Sequence, residues 1–140
     1  MFYLDTSVLV AYYFPEILSK AVEKFLLKNQ SVALSDLSEV EFTSAIAKKI
    51  REGFLSKEDG FHVFSQFELH REEEMFEKIF VSPEHYQLAK HWIAEFDTSL
   101  RTLDALHLAI ASKEDLRLVT ADRKFSESAK KLKIPTIFIQ

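Results

Sequence analysis

At 140 residues the chain is expected to form one domain, and with 47% hydrophobic residues it can bury a full core without staples. It has no cysteine, which excludes a disulfide framework, a thiolate metal site and a cysteine nucleophile. A net charge of −4 argues against a broad, non-specific nucleic-acid surface, though not against a local basic rim around an acidic site.

In chain order, Phe2 to Leu4 reads as a first strand, followed by a helix from Thr6 or Ser7 to about Phe14. Pro15 breaks that helix, since proline fits a first helical turn better than an interior. A second helix is expected from about 16 to 28 and a short strand over 31–35. Residues 37–51 place Leu37, Val40, Ala45, Ile46 and Ile50 at helical spacing, and Gly53 stands where a helix would end. Ser56 opens another helix, with Asp59 as the acid of its first turn. Residues 75–81 form a third strand candidate. Ser82-Pro83-Glu84 starts a helix whose Tyr86, Leu88, Ala89, Trp92, Ile93 and Phe96 share one stripe. The last third reads as helix 103–114, strand 117–121, helix 123–132 and strand 136–139.

Strands alternating with helices predict a three-layer α/β/α domain around a mostly parallel sheet of about five strands. Only two glycines and three prolines are present, so no flexible linker is expected within residues 1–140. The longest apolar stretch, Val8 to Phe14, falls far below the ~20 residues of a membrane span, and no basic leader opens the chain. A soluble, cytoplasmic protein with no membrane partner is the expectation.

Four carboxylates stand out against this pattern. Asp5 ends the first strand, and Asp122 follows Leu118-Val119-Thr120-Ala121. Glu41 lies early in the helix after the second strand, and Asp104 opens the apolar helix Ala105 to Ala111. All four are read as strand-to-helix junctions, which a parallel sheet gathers along the edge where ligands bind. Each also has an innocent reading. Asp5 and Asp122 would serve as helix caps, and Asp104 would complement a helix dipole. Glu41 is harder to excuse, because it shares a helical line with Leu37 and Ala45, whereas Glu39 is free to face water. An unpaired glutamate buried there would cost several kcal/mol. Converging acids repel unless a hard cation holds them, and an all-oxygen set selects Mg²⁺ or Mn²⁺ over zinc. The chemistry natural to such a centre is phosphodiester hydrolysis, with Asp122 or Glu41 orienting the attacking water. His107, one turn beyond Asp104, reads as a core histidine or as a hydrogen-bond partner of the acids. Arg101, Arg123 and Lys124 flank two of the acids and are candidate phosphate contacts. Lys48, Lys49 and Arg51 read as a solvated helix face.

Tyr3-Leu4-Asp5-Thr6-Ser7, Leu34-Ser35 through Val40-Glu41, Arg101 to Ala109, and Val119 to Phe125 together resemble the PIN-domain ribonucleases. More narrowly, they are similar to the VapC-type toxins of toxin–antitoxin pairs. Order and spacing match over essentially the whole chain. The resemblance implies an α/β/α fold with an acidic pocket binding Mg²⁺ or Mn²⁺, and endonucleolytic cleavage of RNA. On this pattern Asp5, Glu41, Asp104 and Asp122 are the catalytic and metal-binding acids, supported by Thr6 and Thr120. It further implies a homodimer and a small antitoxin laid along a hydrophobic groove, for which Tyr12, Tyr13, Phe14, Phe61, Phe64 and Phe67 are candidates. The alternative is a non-catalytic PIN-like module that binds RNA or protein.

Overall fold

The computed structural model describes residues 1–140. β1 (Phe2–Leu4) leads into α1 (Thr6–Tyr13) and α2 (Ser19–Lys28). β2 (Val32–Ser35) is followed by α3 (Asp36–Arg51) and α4 (Lys57–Glu72), and β3 (Glu77–Ile79) by α5 (Pro83–Ala94) and α6 (Thr102–Lys113). β4 (Arg117–Thr120), α7 (Arg123–Lys131) and β5 (Thr136–Phe138) complete the chain. The strands form one sheet in the order β3-β2-β1-β4-β5, and every pairing is parallel.

Successive side chains of a strand point to opposite faces, so the three central strands feed two separate cores. Leu4, Val32, Leu34 and Val119 pack with Val8, Phe14, Val22, Phe42, Ile46 and Phe67 from α1 to α4. Tyr3, Ala33 and Leu118 pack on the other face with Ala89, Leu106, Ile110, Phe125 and Ala129 from α5 to α7. The expected three layers follow directly. In α6 every residue from Ala105 to Ala111 is buried, as its apolar run requires. No helix is long and apolar enough to cross a membrane.

The chain leaves β1 in one direction across the sheet, to β2 and β3. It then crosses back to β4 and continues the other way to β5. The β1–β4 seam is therefore where the winding reverses, and the crevice beyond the carboxyl ends of these strands is the expected ligand site of such a sheet.

Local departures from expectation have identifiable causes. α2 starts at Ser19 rather than 16, because the Ser19 hydroxyl accepts from the Glu16 N–H (2.9 Å) and donates to the Phe14 carbonyl (2.9 Å), closing a turn. β3 is shorter than the expected 75–81, pairing only through Glu77–Ile79 with Ala33 to Ser35 of β2. α3 buries Ser38, Phe42 and Ile46, whereas Val40, expected in its stripe, is 68% exposed. Gly53 adopts φ +80 and ends the chain's turn out of α3, the left-handed role expected of it.

Candidate active site

Two of the four acids follow strands at the winding-reversal seam. Asp5 directly succeeds β1, and its N–H donates to the Val119 carbonyl of β4 (2.9 Å). Asp122 lies two residues beyond β4 and caps α7, its Oδ1 accepting from the Phe125 N–H (3.1 Å). The other two correct the expectation of four equivalent junctions. Glu41 lies in the second turn of α3, six residues past the end of β2. Asp104 sits in the first turn of α6, which follows α5 rather than a strand. The β3-to-β4 crossover must pass over β2 and β1, and two helices span that distance.

Asp5 is buried and held rigidly. Its Oδ2 accepts from the Ser7 hydroxyl (2.7 Å) and the Thr120 hydroxyl (2.7 Å). It makes no side-chain cap hydrogen bond to α1, which removes the innocent capping reading at this position. Thr120 also accepts from the Asp122 N–H (3.0 Å), and Ser7 accepts from the Ala121 N–H (3.1 Å). β1, α1 and the β4–α7 turn are thus tied around one carboxylate. Thr120 stands where the sequence suggested, but the role expected of Thr6 falls to Ser7. The Thr6 hydroxyl is buried and has no partner.

Asp104 feels the charges of the other acids. Its carboxyl is raised from 3.8 to about 6, first by burial, then by the charges of Asp5 and Asp122, with His107 opposing and Glu41 adding slightly. A cavity of about 220 Å³ joins Asp104 and Asp122 to Arg101, Lys124, Ser99 and Ser128. Two of the three cations expected near the acids therefore share their cavity. Arg123 does not line that cavity, and its guanidinium lies 5.2 Å from the centre of the Phe138 ring. Lys48 pairs with Glu52 (3.9 Å) and Lys49 lies over Phe14 (5.0 Å). Glu39 is drawn into surface pairs with Arg71 (3.3 Å) and Lys78 (3.8 Å).

Glu41 is paired with a histidine rather than with a lysine or an arginine. Its Oε1 meets Nε2 of His107, which is 1% exposed, and Nδ1 of the same ring meets the Tyr3 hydroxyl at 2.7 Å. Sequence reasoning left Ser7 and Tyr3 without a role. Ser7 could have been found from its place two residues after Asp5, a short Asx-like reach, but nothing local marks Tyr3.

The donor set suits a hard divalent cation, because every acid at the seam offers oxygen alone. In the arrangement seen, no three His, Asp or Glu side chains stand close enough to hold an ion. The carboxylates are instead engaged with Ser7, Thr120, Phe125 and His107. The unrelieved repulsion felt by Asp104 is what a cation would remove.

The groove candidates divide. Phe14 and Phe67 are core residues, and Tyr12, Tyr13 and Phe64 pack partly against that core. Only Phe61 is largely exposed, at 68%.

Comparison with known proteins agrees with this geometry. The PIN domain family model matches residues 2–131. VapBC2 from Rickettsia felis, solved with a promoter DNA fragment, superposes with TM-score 0.72 at 19% identity, covering 100% of both chains. FitAcB from Neisseria gonorrhoeae superposes with TM-score 0.70 at 17% identity, covering 98% of this chain and 96% of its own. VapC20 of Mycobacterium tuberculosis, a sarcin-ricin loop cleaving toxin, superposes with TM-score 0.70 at 15% identity over 91% and 94%. No curated protein sequence matches the chain. With the family model spanning all but the ends, the chain belongs to the PIN domain family.

Proposed function

We propose that this protein is a Mg²⁺- or Mn²⁺-dependent endoribonuclease and the toxin of a toxin–antitoxin pair. The observation that carries this reading is the raised Asp104 carboxyl. It lies among Asp5, Asp122 and Glu41 at the winding-reversal seam, in a cavity that also holds Arg101 and Lys124. Asp5, Asp104 and Asp122, with Glu41, would hold the metal, which when bound supplies a water acidified for attack and a positive centre for the phosphate charge. The chain's own residues do the rest. Thr120 and Ser7 fix Asp5 so that its free oxygen, Oδ1, keeps one direction. Arg101 and Lys124 attract a phosphate into a pocket that bare carboxylates would repel. Asp122 or Glu41 accepts the proton of the attacking water.

The toxin assignment is supported by the structural neighbours, several of which are toxin–antitoxin complexes. A small antitoxin protein is the proposed partner, and a homodimer the proposed assembly. Exposed Phe61, Leu69 and Phe54 on and before α4 offer apolar contact for such a segment.

The reading is tested by expressing the chain and its Asp5→Asn variant in bacteria and sequencing the RNA termini that accumulate. New termini at defined positions are expected with the native chain only. Equal patterns for both would sink the site assignment. A native chain that creates no termini would favour a non-catalytic binding module.

A further inference from the structure

The candidate acids are not equally constrained. Asp5 is locked by two hydroxyls, whereas Glu41 is longer, carries one more rotatable bond and stands inside a helix where no cap can hold it. What holds it is a buried polar column. Ser35, the cap of α3, and Ser38 stand six and three residues before Glu41, and both are fully buried. The Tyr3 hydroxyl lies 2.7 Å from Ser35 Oγ, 3.3 Å from Ser38 Oγ and 2.7 Å from His107 Nδ1. The other ring nitrogen of His107 reaches Glu41. The column therefore joins β1, the start of α3 and the helix bearing Asp104.

The chemistry of each member sets the direction of the protons. A carboxylate only accepts, so the ring presents Nε2–H to Glu41, which in the neutral tautomer leaves Nδ1 as an acceptor. Burial pushes the Tyr3 phenol far above its ordinary value, so it keeps the one proton it has to give. Tyr3 donates to Nδ1 and accepts in turn from Ser35, leaving no member of the column without a partner.

We propose that His107, held in one tautomer by Tyr3, is a positioning residue that aims Glu41 at the metal site of the proposed function. This rests on the proposed function. By fixing the rotamer of the most mobile acid before an ion arrives, the column lowers the entropy lost on binding. Asp104 and His107 lie one turn apart on α6, so a single helix both supplies one acid and orients another.

Two substitutions separate the ring's two bonds. His107→Gln keeps an N–H donor near Nε2, whereas His107→Asn keeps a polar group only near Nδ1. Mn²⁺ binding by calorimetry and cleavage kinetics on an RNA oligonucleotide are the readouts, with thermal melting to verify folding. His107→Asn should lose ~10- to 100-fold in Mn²⁺ affinity and in kcat, with KM for RNA little changed. His107→Gln should recover most of both. The double variant Glu41→Gln/His107→Asn should be no worse than Glu41→Gln alone. Tyr3→Phe, which deletes one oxygen, should weaken Mn²⁺ binding more mildly and remove the Nε2–H signature of His107 in nitrogen NMR. If His107→Asn fails to fold, Tyr3→Phe carries the test by the same readouts. Equal losses in the Gln and Asn variants, or no loss in Asn or in Tyr3→Phe, would overturn the proposal. A native chain that binds Mn²⁺ without cutting RNA overturns the proposed function, while the binding data still decide the positioning role. One that binds no Mn²⁺ overturns both.

Discussion

Replacing Asp104 by asparagine should stabilise the metal-free protein at neutral pH. The folded carboxyl is raised from 3.8 to about 6, mainly by burial and then by Asp5 and Asp122. A raised acid binds its proton more tightly in the folded than in the unfolded chain, so stability falls as pH rises between the two values. The cost is absent well below 3.8, grows through pH 4 to 6, and is complete above about 6. At 1.36 kcal/mol per pH unit the full shift corresponds to about 3 kcal/mol. Asp104 is only half-buried, so solvent screening reduces this to about 1.5 kcal/mol. Loss of a first-turn acid on α6 opposes it by about 0.5 kcal/mol. The cost of burying and crowding the charge wins, leaving a gain of about 1 kcal/mol, or about 3 °C in Tm for a chain of this size. Thermal melts in EDTA at pH 7.5 and pH 4 test it. The variant should melt higher at pH 7.5, and the advantage should nearly vanish at pH 4. A gain independent of pH, or a loss at pH 7.5, would refute the convergence of charges at Asp104.

Thr120→Val keeps the shape of a fully buried side chain but deletes the hydroxyl that serves Asp5 and Asp122, and should cost about 1 to 3 kcal/mol in urea denaturation. An unchanged midpoint would mean that the Asp5 clamp contributes nothing to stability. Phe42→Ala, at the centre of the α1–α4 core, should cost about 3 to 5 kcal/mol by the same assay, whereas Val40→Ala should be nearly silent. Comparable losses would contradict the observed facing of α3. Arg101→Ala and Lys124→Ala should each weaken RNA binding and lower the salt dependence by about one unit of slope, with Arg123→Ala having less effect. An equal or larger effect at Arg123 would place the substrate on a different face.

The layer order was legible from alternating strand and helix patterns, because parallel strands buried on both faces read as short apolar runs. Asp5 and Asp122 are legible as candidates for the same reason, each being an acid at or just past the end of such a run. Asp104 was found by the apolar helix it opens, although the assumption that a strand precedes it was wrong. The facing of α3 was misread at Val40 because its buried side carries Ser35 and Ser38, polar residues satisfied by each other and by Tyr3. Hydrophobic periodicity cannot register a buried face of that kind. The partners of Glu41 were illegible, since His107 and Tyr3 lie 66 and 38 positions away in the chain and meet only once the sheet has formed. The sequence does not separate groove from core at Phe14 and Phe67, because aromatic spacing on a helix looks the same whether core or partner covers it.

The account stands most directly on cleavage of a defined RNA by purified protein, with Mn²⁺ or EDTA, for the native chain and the four amide variants of Asp5, Glu41, Asp104 and Asp122. Cleavage is expected only for the native chain with Mn²⁺, with each variant losing at least ~100-fold, as removal of a metal ligand should. Undiminished cutting in EDTA, or by the Asp5→Asn or Asp104→Asn protein with Mn²⁺ present, would contradict it.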